Sequence, residues 1–581
     1  MVSERPSVRD ASQDTTTVDG QRLRDSSRGS TFEALSQQTA GLYVPARGAL
    51  HGVANGATGG LQLRGLGGSP NTQVLVVEDG VPDYQGIFGH PLADAYLPLL
   101  LDEVVVAKGG DSVLLGSNAL GGALLLRSRW REREGYELQN DASSGSYATV
   151  RESAALLGRC GAWDVAAGLH ALSTAGHRLG AGGSTFMTTT GLRYRWPSGL
   201  RLTARNKVVH LVGSDAGPVT HPYRDHAYEV WRNTAALQLA GGRDRLLHWT
   251  LTPYLNLGIH RLFDGFHSTD YLGGLQAELE LRPHRLAELA IGLAAQRVGG
   301  RVENRVTHER PPVAALQDAA LYGQLTLRPL QRLSAVVGAR GLYSNRYGLV
   351  WLAKAGARWD LTDRLQLRAR LARSFRQPTL RELYLPFPVA NPTLRPEYAL
   401  TADLGAAYNS ERIELSGTGY RTAAENLIRY FGVWPSAEVV NIGRVVIWGV
   451  EGHVGLKRLG PCSLSLGGNW QDVGRYTRQN PDAKVNLTLD ATQPLGPRHR
   501  VGATASAEWV HGLYMANYGR RPLAAVFVAD LALRYRYRSA ARGLALEPYA
   551  LLRNFLDRRY AYVEGYPMPG FHALLGLKVE L

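Results

Sequence analysis

A strict alternation of apolar and polar residues dominates the chain from about residue 133 onward. In "LHWTLTPYLNLGIH" (residues 247–260), the odd positions from Leu247 to Ile259 are apolar, and most even positions are polar or small. A period of two places successive side chains on opposite faces of a β-strand, so each segment has one apolar and one polar face. The pattern recurs in "LQAELELRP", "RLQLRARLAR" and "HALLGLKVEL". These segments are about ten residues long, the length of a tilted strand that spans a membrane.

The connections between these segments alternate between short turns and long loops. "RPHR" (282–285) and "DLTDRL" (360–365) are short, whereas "HLVGSDAGPVTHPYRDHAYEV" (210–230) and "GGRVENRVTHERPPVAALQ" (299–317) are long and polar. A soluble β-sandwich also alternates, but this asymmetry of connections is typical of outer-membrane barrels. At about 20 residues per strand and connection, the region provides on the order of 22 strands, a size whose lumen is normally filled.

Residues 1–130 lack the long ladder and show short apolar runs separated by glycines. The segment "VVVAKGGDSVLLGSNALGGALLLRSR" (104–129) contains five glycines but matches neither a P-loop nor a dinucleotide-binding fingerprint. We predict that these glycines turn a small mixed sheet in a confined space, where positive φ and close backbone approach are needed. The sequence therefore predicts an all-β transmembrane barrel of about 22 antiparallel strands (residues 131–581), with an N-terminal α+β plug domain (residues 1–130) inside the lumen.

Composition argues against several other classes of protein. The chain has no run of roughly 18 apolar residues, so no transmembrane helix is expected. The formal net charge is +15, but the arginines are scattered at alternating positions, which suits a polar lumen better than a nucleic-acid surface. No nucleophile elbow or other local catalytic signature is visible, so the sequence does not predict an enzyme. Cys160 and Cys462 lie in separate turns far apart in the chain and are expected to be free thiols.

Several motifs resemble, in order along nearly the whole chain, those of the TonB-dependent outer-membrane receptors. In the plug these are "LQLRGLGGSPNTQVLVVEDGVP" (61–82) and "LDEVVVAKGGDSVLLGSNALGGALLL" (101–126). In the barrel they are "SFRQPTLRELY" with "NPTLRPEYALTADLG" (374–405), "VNIGRVVIWGVEGHVG" (440–455) and the last 31 residues. The resemblance implies a bacterial outer-membrane protein, embedded in outer-membrane lipid and inserted by the barrel-assembly machinery. It also implies active import energised by the TonB-ExbB-ExbD complex.

The chain departs from the pattern of this family at several points. Gly110 stands where the family often has proline, Leu115 where it has tyrosine, and Leu581 where it prefers a terminal aromatic residue. The short apolar TonB box that precedes the plug is not visible, although "SERPSVRDASQDTTTVDGQRL" resembles the stretch just after such a box. We hypothesise that the TonB box and a signal peptide lie upstream of Met1.

The resemblance places two plug loops, "RGALHGVANGATGG" (47–60) and "DYQGIFGHPLAD" (83–94), at the extracellular face, where exposed side chains are expected to touch the ligand. The candidate contacts in these loops are His51, Asn55, Tyr84, Gln85, Phe88 and His90. By their place in the alternating pattern, Arg368 and Arg370 are expected to face the lumen and to attract anions.

A ferric siderophore, the family's most frequent cargo, is the first expectation for the ligand. Cobalamin is the second, because the compact plug and short chain resemble the vitamin B12 receptors. The expected ligand is therefore a metal chelate or a corrinoid. Haem ranks below both. Haem receptors of the family carry a histidine between the motifs found here as "FRQP" (375–378) and "NPTL" (391–394), and this chain has none there. A passive porin, a surface receptor without transport and an outer-membrane lipase or protease remain as alternatives. No resident metal or cofactor is expected, and His210, His221 and His226 are interpreted as solvated loop residues.

Overall fold

The computed structural model describes residues 10–26, 30–46, 48–51, 60–68, 72–243, 246–386, 390–432, 437–476, 479–519, 521–540 and 543–581. Within these residues, twenty-two antiparallel strands form a closed barrel, and the N-terminal part of the chain packs inside it. The predicted fold class and number of strands are therefore confirmed.

The plug is built from short elements around a mixed β-sheet. Its elements are β1 (Thr15–Asp19), α1 (Gly20–Asp25), α2 (Thr31–Gln38), β2 (Leu42–Tyr43), β3 (Gln62–Leu63), β4 (Leu66–Gly67), β5 (Val74–Glu78), β6 (Val81–Pro82), β7 (Leu101–Lys108), α3 (Ser112–Leu115) and β8 (Gly122–Ser128). The five-stranded sheet has the order β1-β7-β8-β5-β6, and β5 and β8 are parallel. A 3-10 turn at Pro98–Leu100 leads into β7.

The glycines of residues 104–129 lie where this sheet turns and where its backbones approach closely. Gly116 ends α3 with a φ of 81°, a conformation that side chains other than glycine rarely adopt. A Cβ at Gly122 would come within 2.2 Å of the carbonyl oxygen of Ala107 on the neighbouring strand β7. The predicted role of these glycines in a confined mixed sheet is confirmed.

The barrel strands are long and mostly paired with their sequence neighbours. The first twelve are β9 (Gly135–Gly145), β10 (Thr149–Cys160), β11 (Trp163–Thr174), β12 (Gly183–Arg195), β13 (Arg201–Ser214), β14 (Ala227–Arg243), β15 (Leu247–Leu262), β16 (Phe266–His284), β17 (Ala287–Asn304), β18 (Leu316–Leu330), β19 (Leu333–Ser344) and β20 (Gly348–Asp360). A 3-10 turn at Ser146–Ala148 joins β9 to β10.

The second half of the barrel carries the longer extracellular insertions. Its elements are β21 (Leu365–Arg376), α4 (Leu380–Tyr384), β22 (Glu397–Asn409), β23 (Ile413–Glu425), β24 (Ile428–Phe431), β25 (Glu438–Asn441), β26 (Val445–Leu459), β27 (Cys462–Asp472), β28 (Ala483–Pro494), β29 (His499–His511), β30 (Val526–Arg538), β31 (Ala545–Arg553), β32 (Ala561–Val563), β33 (Tyr566–Pro567) and β34 (His572–Glu580). The hairpins β24-β25 and β32-β33 and the helix α4 lie in loops, and β34 pairs with β9 to close the barrel.

The two faces of the strands differ as the alternation predicts. On β15, Leu251, Leu255 and Leu257 point outward, and Leu255 is 43% exposed, whereas Asn256 between them is fully buried. The prediction that the odd positions of this strand face lipid is confirmed from Leu251 onward. None of the described helices has the length and apolar character that a membrane span requires. Cys160 and Cys462 are free thiols at the ends of two short turns.

Several strands extend further than the segments of about ten residues that membrane crossing requires. Strand β16 has 19 residues, and β13 and β14 continue into the predicted long loop, which shortens to residues 215–226. The strands keep pairing beyond the apolar band because hydrogen bonds between strands satisfy backbone N–H and C=O groups outside the membrane as well as inside it. Alternation of apolarity therefore marks only the part of each strand within the membrane.

Exposed aromatic side chains mark the two edges of the apolar band, as in outer-membrane barrels. Trp163 and Trp359 lie beside short turns at one end of the barrel. Trp231 and Trp351 lie at the other end, near the loop of residues 215–226 and the turn of residues 345–347. On β15, Trp249 lies near the short-turn end and Ile259 pairs with Trp231. Ten residues of a strand tilted by about 45° cover roughly 23 Å, close to the ~25 Å height of the band. Leu255 therefore lies near its middle.

We predict that Leu255→Arg lowers the free energy of unfolding by about 2 to 4 kcal/mol, because an arginine is costly near the middle of the bilayer. Denaturant titrations of the protein refolded into lipid vesicles measure this. The control is Ile259→Arg on the same strand at the depth of Trp231, where a cost of about 0 to 1 kcal/mol is expected. Equal costs for the two variants would contradict the assigned depth.

Candidate ligand-binding site at the plug apex

Arg368 and Arg370 face the lumen, and both contact carboxylates of the plug. Arg368 Nη2 lies 2.5 Å from Asp14 Oδ1, and Arg370 Nε lies 3.0 Å from Asp10 Oδ2. Arg370 Nη2 also lies 3.5 Å from Asp111. Plug carboxylates therefore neutralise both arginines in this arrangement, and attraction of anions into the lumen stays a prediction.

A second buried cluster shares Asp14 with the first and connects the plug to the neighbouring part of the wall. Arg64 of the plug contacts Asp14 and the barrel residue Asp403, each at 2.6 Å, and Glu451 at 2.5 Å. Lys108 also contacts Glu451, at 3.1 Å. Burial raises the pKa of the Asp14 carboxyl, but the charges of Lys108 and Arg64 outweigh it, so its pKa lies well below the usual range. Asp14 therefore stays ionised and holds its part of the plug to these cations.

The apical loop of residues 83–90 is clamped to the barrel from below. The carbonyl of Tyr84 accepts a hydrogen bond from Arg232 at 2.9 Å, and the amide of Gly86 donates to Asp270 at 2.8 Å. Arg232 and Asp270 form their own ion pair at 2.8 Å. This clamp positions the tip of the loop, residues 87–89, below the extracellular loops.

The expected exposure of three apical-loop residues is wrong. Tyr84, Gln85 and His90 are 8%, 1% and 5% exposed. The ring of Tyr84 belongs to an apolar cluster with Ile87 and Leu380, and the side-chain amide of Gln85 lies 3.2 Å from His90 Nδ1. Packing against the barrel wall and residues of its loops buries these side chains, although glycines flank them in the sequence. Contact of these three residues with a ligand remains a prediction.

His90 is held neutral in this environment. Burial lowers the pKa of its imidazole to about 4, although a hydrogen bond from Nδ1 to the Pro91 carbonyl, at 2.9 Å, opposes the shift. The other predicted plug loop is represented by His51, which is 3% exposed and lies 3.3 Å from Asp94. Asn55 lies outside the described residues.

Phe88 is the predicted contact that stays partly accessible. Its ring packs edge-on against His260, with centroids 4.8 Å apart. The guanidinium of Arg381 lies 5.8 Å from the centroid of Phe88 and 5.9 Å from that of Tyr430. A cation within about 6 Å of two ring centroids can interact with both π faces. The three side chains form a half-buried patch at the plug apex.

Two loops build this patch from distant parts of the sequence. Arg381 lies in α4, whose first turn is fixed by a capping box between Thr379 and Glu382, and its amide donates to the Ile87 carbonyl at 2.9 Å. Tyr430 lies in the hairpin β24-β25. Next to the patch, Arg346 Nη1 donates to the Tyr384 hydroxyl at 2.9 Å.

Sequence reasoning missed Arg346, Arg381, Tyr384 and Tyr430. The available signal was the pairing of arginine with aromatic residues in "RELY" and "IRYF".

Of the three histidines that the sequence groups in one loop, only His221 and His226 lie in the loop of residues 215–226. His210 lies on β13 and stacks on Trp231, with centroids 3.8 Å apart, whereas His226 packs against Phe263. Among the described residues, no group of three or more His, Cys, Asp or Glu side chains is arranged to hold a metal ion.

Comparison with known families agrees with this architecture. Residues 126–557 match the family described as TonB dependent receptor-like, beta-barrel, and residues 7–123 match the TonB-dependent Receptor Plug Domain. The chain therefore belongs to the TonB-dependent receptors, which are proteins of the bacterial outer membrane. A search among curated proteins gives no sequence match.

Solved structures share the fold at low sequence identity. The siderophore receptor PirA from Pseudomonas aeruginosa is 15% identical with a TM-score of 0.76, covering 99% of this chain and 100% of that chain. The copper transporter OprC is 16% identical with a TM-score of 0.78 and 99% coverage of both chains. The ferric yersiniabactin uptake receptor FyuA from Yersinia pestis is 14% identical with a TM-score of 0.75 and 98% coverage of both. At these identities the likeness establishes the fold.

We predict that Arg64→Met loosens the plug, because it leaves three buried carboxylates without their shared cation. Breaking a buried ion pair from one side costs about 3 to 5 kcal/mol. Hydrogen exchange of the β1 and β7 amides in detergent micelles measures the loss. The control is Arg127→Met, which removes a partly exposed plug arginine paired with Asp102 and is expected to cost at most about 1 kcal/mol. Similar exchange in the two variants would contradict the role of Arg64.

We predict that the apical loop loses stability as the pH falls from about 6.5 towards 4. The pKa of His90 is lowered from its ordinary 6.5 to about 4 in the folded state, so the unfolded loop binds the proton first. Between pH 7 and pH 5, the free energy that stabilises the folded loop falls by roughly 1 to 2 kcal/mol. Hydrogen exchange of residues 83–90 at the two pH values reports it, and His90→Gln should flatten the dependence. An equally steep dependence in that variant would exclude His90 as its source.

Proposed function

We propose that this receptor imports a ferric siderophore with anionic aromatic iron-binding groups across the outer membrane. The observation that carries the proposal is the patch of Phe88, Arg381 and Tyr430 at the plug apex. It offers one positive charge flanked by two flat π faces, each within about 6 Å. A catecholate chelate carries negative charge on aromatic rings, so a single patch of this kind interacts with both features.

The neighbouring residues extend the same chemistry. Arg346 lies 5.7 Å from the ring centroid of Tyr384 and of Tyr347, and all three side chains are partly accessible. Positive charge in a vestibule with low-dielectric walls raises the local concentration of an anionic solute. In contrast to the lumen arginines, which plug carboxylates neutralise, these arginines lie on the extracellular side of the plug.

Import also requires a source of energy outside the chain. The plug fills the lumen and is held there by buried ion pairs such as Arg64 with Asp403. The sequence carries no phosphate-binding loop, so a partner must supply the work that displaces the plug. Members of this family work with TonB, ExbB and ExbD, and we assign the same partners to this chain.

The siderophore receptors among the similar structures support a ferric siderophore as the cargo, whereas the copper transporter among them carries a different cargo on the same fold.

We expect the purified protein to bind a ferric catecholate more tightly than a ferric hydroxamate, cobalamin, haemin or copper ion in tryptophan-fluorescence titrations. Arg381→Ala should weaken binding of the ferric catecholate by about 10-fold or more, because a partly desolvated cation–π contact with charge pairing contributes roughly 1.5 to 3 kcal/mol. Phe88→Ala should also weaken binding of the ferric catecholate.

The matched control is Arg373→Ala. Arg373 lies 4.9 Å from the ring centroid of Tyr398 on the exposed outer face of the barrel, so it has the same type of contact outside the vestibule. Parental affinity is expected for this control. Binding of cobalamin or haemin alone would exclude the siderophore, and uptake that persists in cells without TonB would exclude energised import.

A further inference from the structure

The hairpin β5-β6 of the plug carries three carboxylates that face one part of the barrel wall. Lys207 on β13 contacts Glu78 at 2.5 Å and Asp83 at 2.7 Å. Arg205, two residues earlier on the same strand, contacts Asp79 at 2.8 Å. Lys207 is buried, and it is the cation that joins both ends of the hairpin.

The wall around Lys207 is lined by hydroxyl and amide groups from four adjacent strands, β12 to β15. They surround a cavity of about 40 Å³ between the hairpin and the wall. A water molecule needs roughly 10 to 15 Å³ by this measure, so the cavity has room for about three. The polar lining residues outside the ion pairs are Ser128, Thr189, Thr203, Asn206, Thr234, Gln238 and Thr252, and the apolar ones are Val81 and Ala236.

This polar lining continues upward to the apical loop. Asn256 on β15 donates to Asp83 at 3.2 Å, and Arg232 on β14 donates to the Tyr84 carbonyl at 2.9 Å. Phe88 of the apex patch lies four residues further along this loop. Hydrogen-bonding groups on β14 and β15 therefore lead from the base of the apical loop, past Lys207, to Thr252 and Thr203.

Other faces of the plug meet the barrel differently. Around the 3-10 turn at Pro98–Leu100, leucines of the plug pack with the wall residues Leu157 and Ala166 into a large apolar cluster. The cavity beside this cluster also has polar and charged lining residues, among them Asp94, Arg151 and His170. On another face, Lys484 is buried beneath α2 and donates to the carbonyls of Ser36 and Leu42 at 2.5 and 2.8 Å. A hydrated solute that moves along β12 to β15 exchanges its water for hydroxyl and amide groups, whereas between the packed leucines of the apolar cluster it would lose those hydrogen bonds.

We propose that the imported solute passes between the hairpin β5-β6 and strands β12 to β15, and that Lys207 closes this path at rest. The path takes a hydrophilic solute with many hydrogen-bonding groups, which is the chemistry of a ferric chelate. The proposal rests on the proposed function for the identity of its cargo, but the path and its closure rest on the contacts of Lys207.

The charges of the hairpin explain why one lysine closes the path. Glu78, Asp79 and Asp83 lie against two cations, Arg205 and Lys207. Removal of Lys207 therefore leaves the partly buried carboxylate of Glu78 and the buried one of Asp83 without an ion-pair partner among the described residues. Unpaired buried carboxylates are unstable and draw in water or mobile cations. The hairpin then hydrates along the polar wall, and the opened path carries negative charge.

The test is ion conductance of the full-length protein in planar lipid bilayers bathed in potassium chloride, with no siderophore added. Lys207→Met is expected to raise the conductance several-fold over the parent and to favour K⁺ over Cl⁻. Lys207→Arg, which keeps the charge, should restore the low conductance. The matched control is Lys484→Met, which removes a buried lysine on another face of the plug and should leave the conductance at the parental level.

A second measurement follows the path directly. In a variant with Cys160→Ser and Cys462→Ser, a cysteine introduced by Thr252→Cys should react faster with a membrane-impermeant maleimide when Lys207→Met is also present. Heat-modifiable electrophoretic mobility identifies folded barrels, and Lys207→Gln replaces Lys207→Met if the latter does not fold.

Parental conductance and maleimide reactivity in the folded Lys207 variants would overturn the proposal, as would an equal rise in Lys484→Met. Because no siderophore is present, either result is independent of the binding test for the proposed cargo.

Discussion

The structure depends on the requirement that every backbone N–H and C=O group inside a bilayer finds a partner within the protein. The barrel meets it by pairing β34 with β9, so that its ladder has no free edge in the described structure. A closed barrel of this size has a wide lumen that side chains of the wall alone cannot fill. The plug is the consequence, and its small elements and glycine turns are shaped by the space that remains.

Filling a polar lumen with protein creates an electrostatic problem, because charges that faced water are now buried. The structure solves it by pairing across the plug–barrel boundary: wall cations such as Arg370 and Lys354 meet Asp10 and Asp111, and the plug residue Arg64 meets wall carboxylates. Breaking such a pair from one side is costly, which makes the plug stable at rest. The same pairs are discrete contacts that an external force can break one after another.

The arginines behind the net charge of +15 therefore fall into two groups. Lumen arginines such as Arg370 form ion pairs with plug carboxylates, whereas Arg346 and Arg381 lie above the plug, beside aromatic rings at the vestibule. Only the second group is placed to meet a solute from outside. The apex patch and the polar wall below it lie on one side of the plug, so the site where a ligand is recognised and the face through which it can pass are neighbours.

The sequence by itself determined the barrel, its strand number, the outward faces of its strands and the presence of a filler, because alternation and turn length are local properties that a strand expresses wherever it lies. It did not determine which loop residues stay exposed. Tyr84 and His90 look available among glycines, yet both are buried, and Tyr84 shares an apolar cluster with Leu380 of α4 and Ile428 of β24, some 300 residues later. Arg381 and Tyr430 join Phe88 for the same reason. Burial at the apex and the partners of each lumen charge arise from packing between segments that are remote in the chain, and only the tertiary structure decides them.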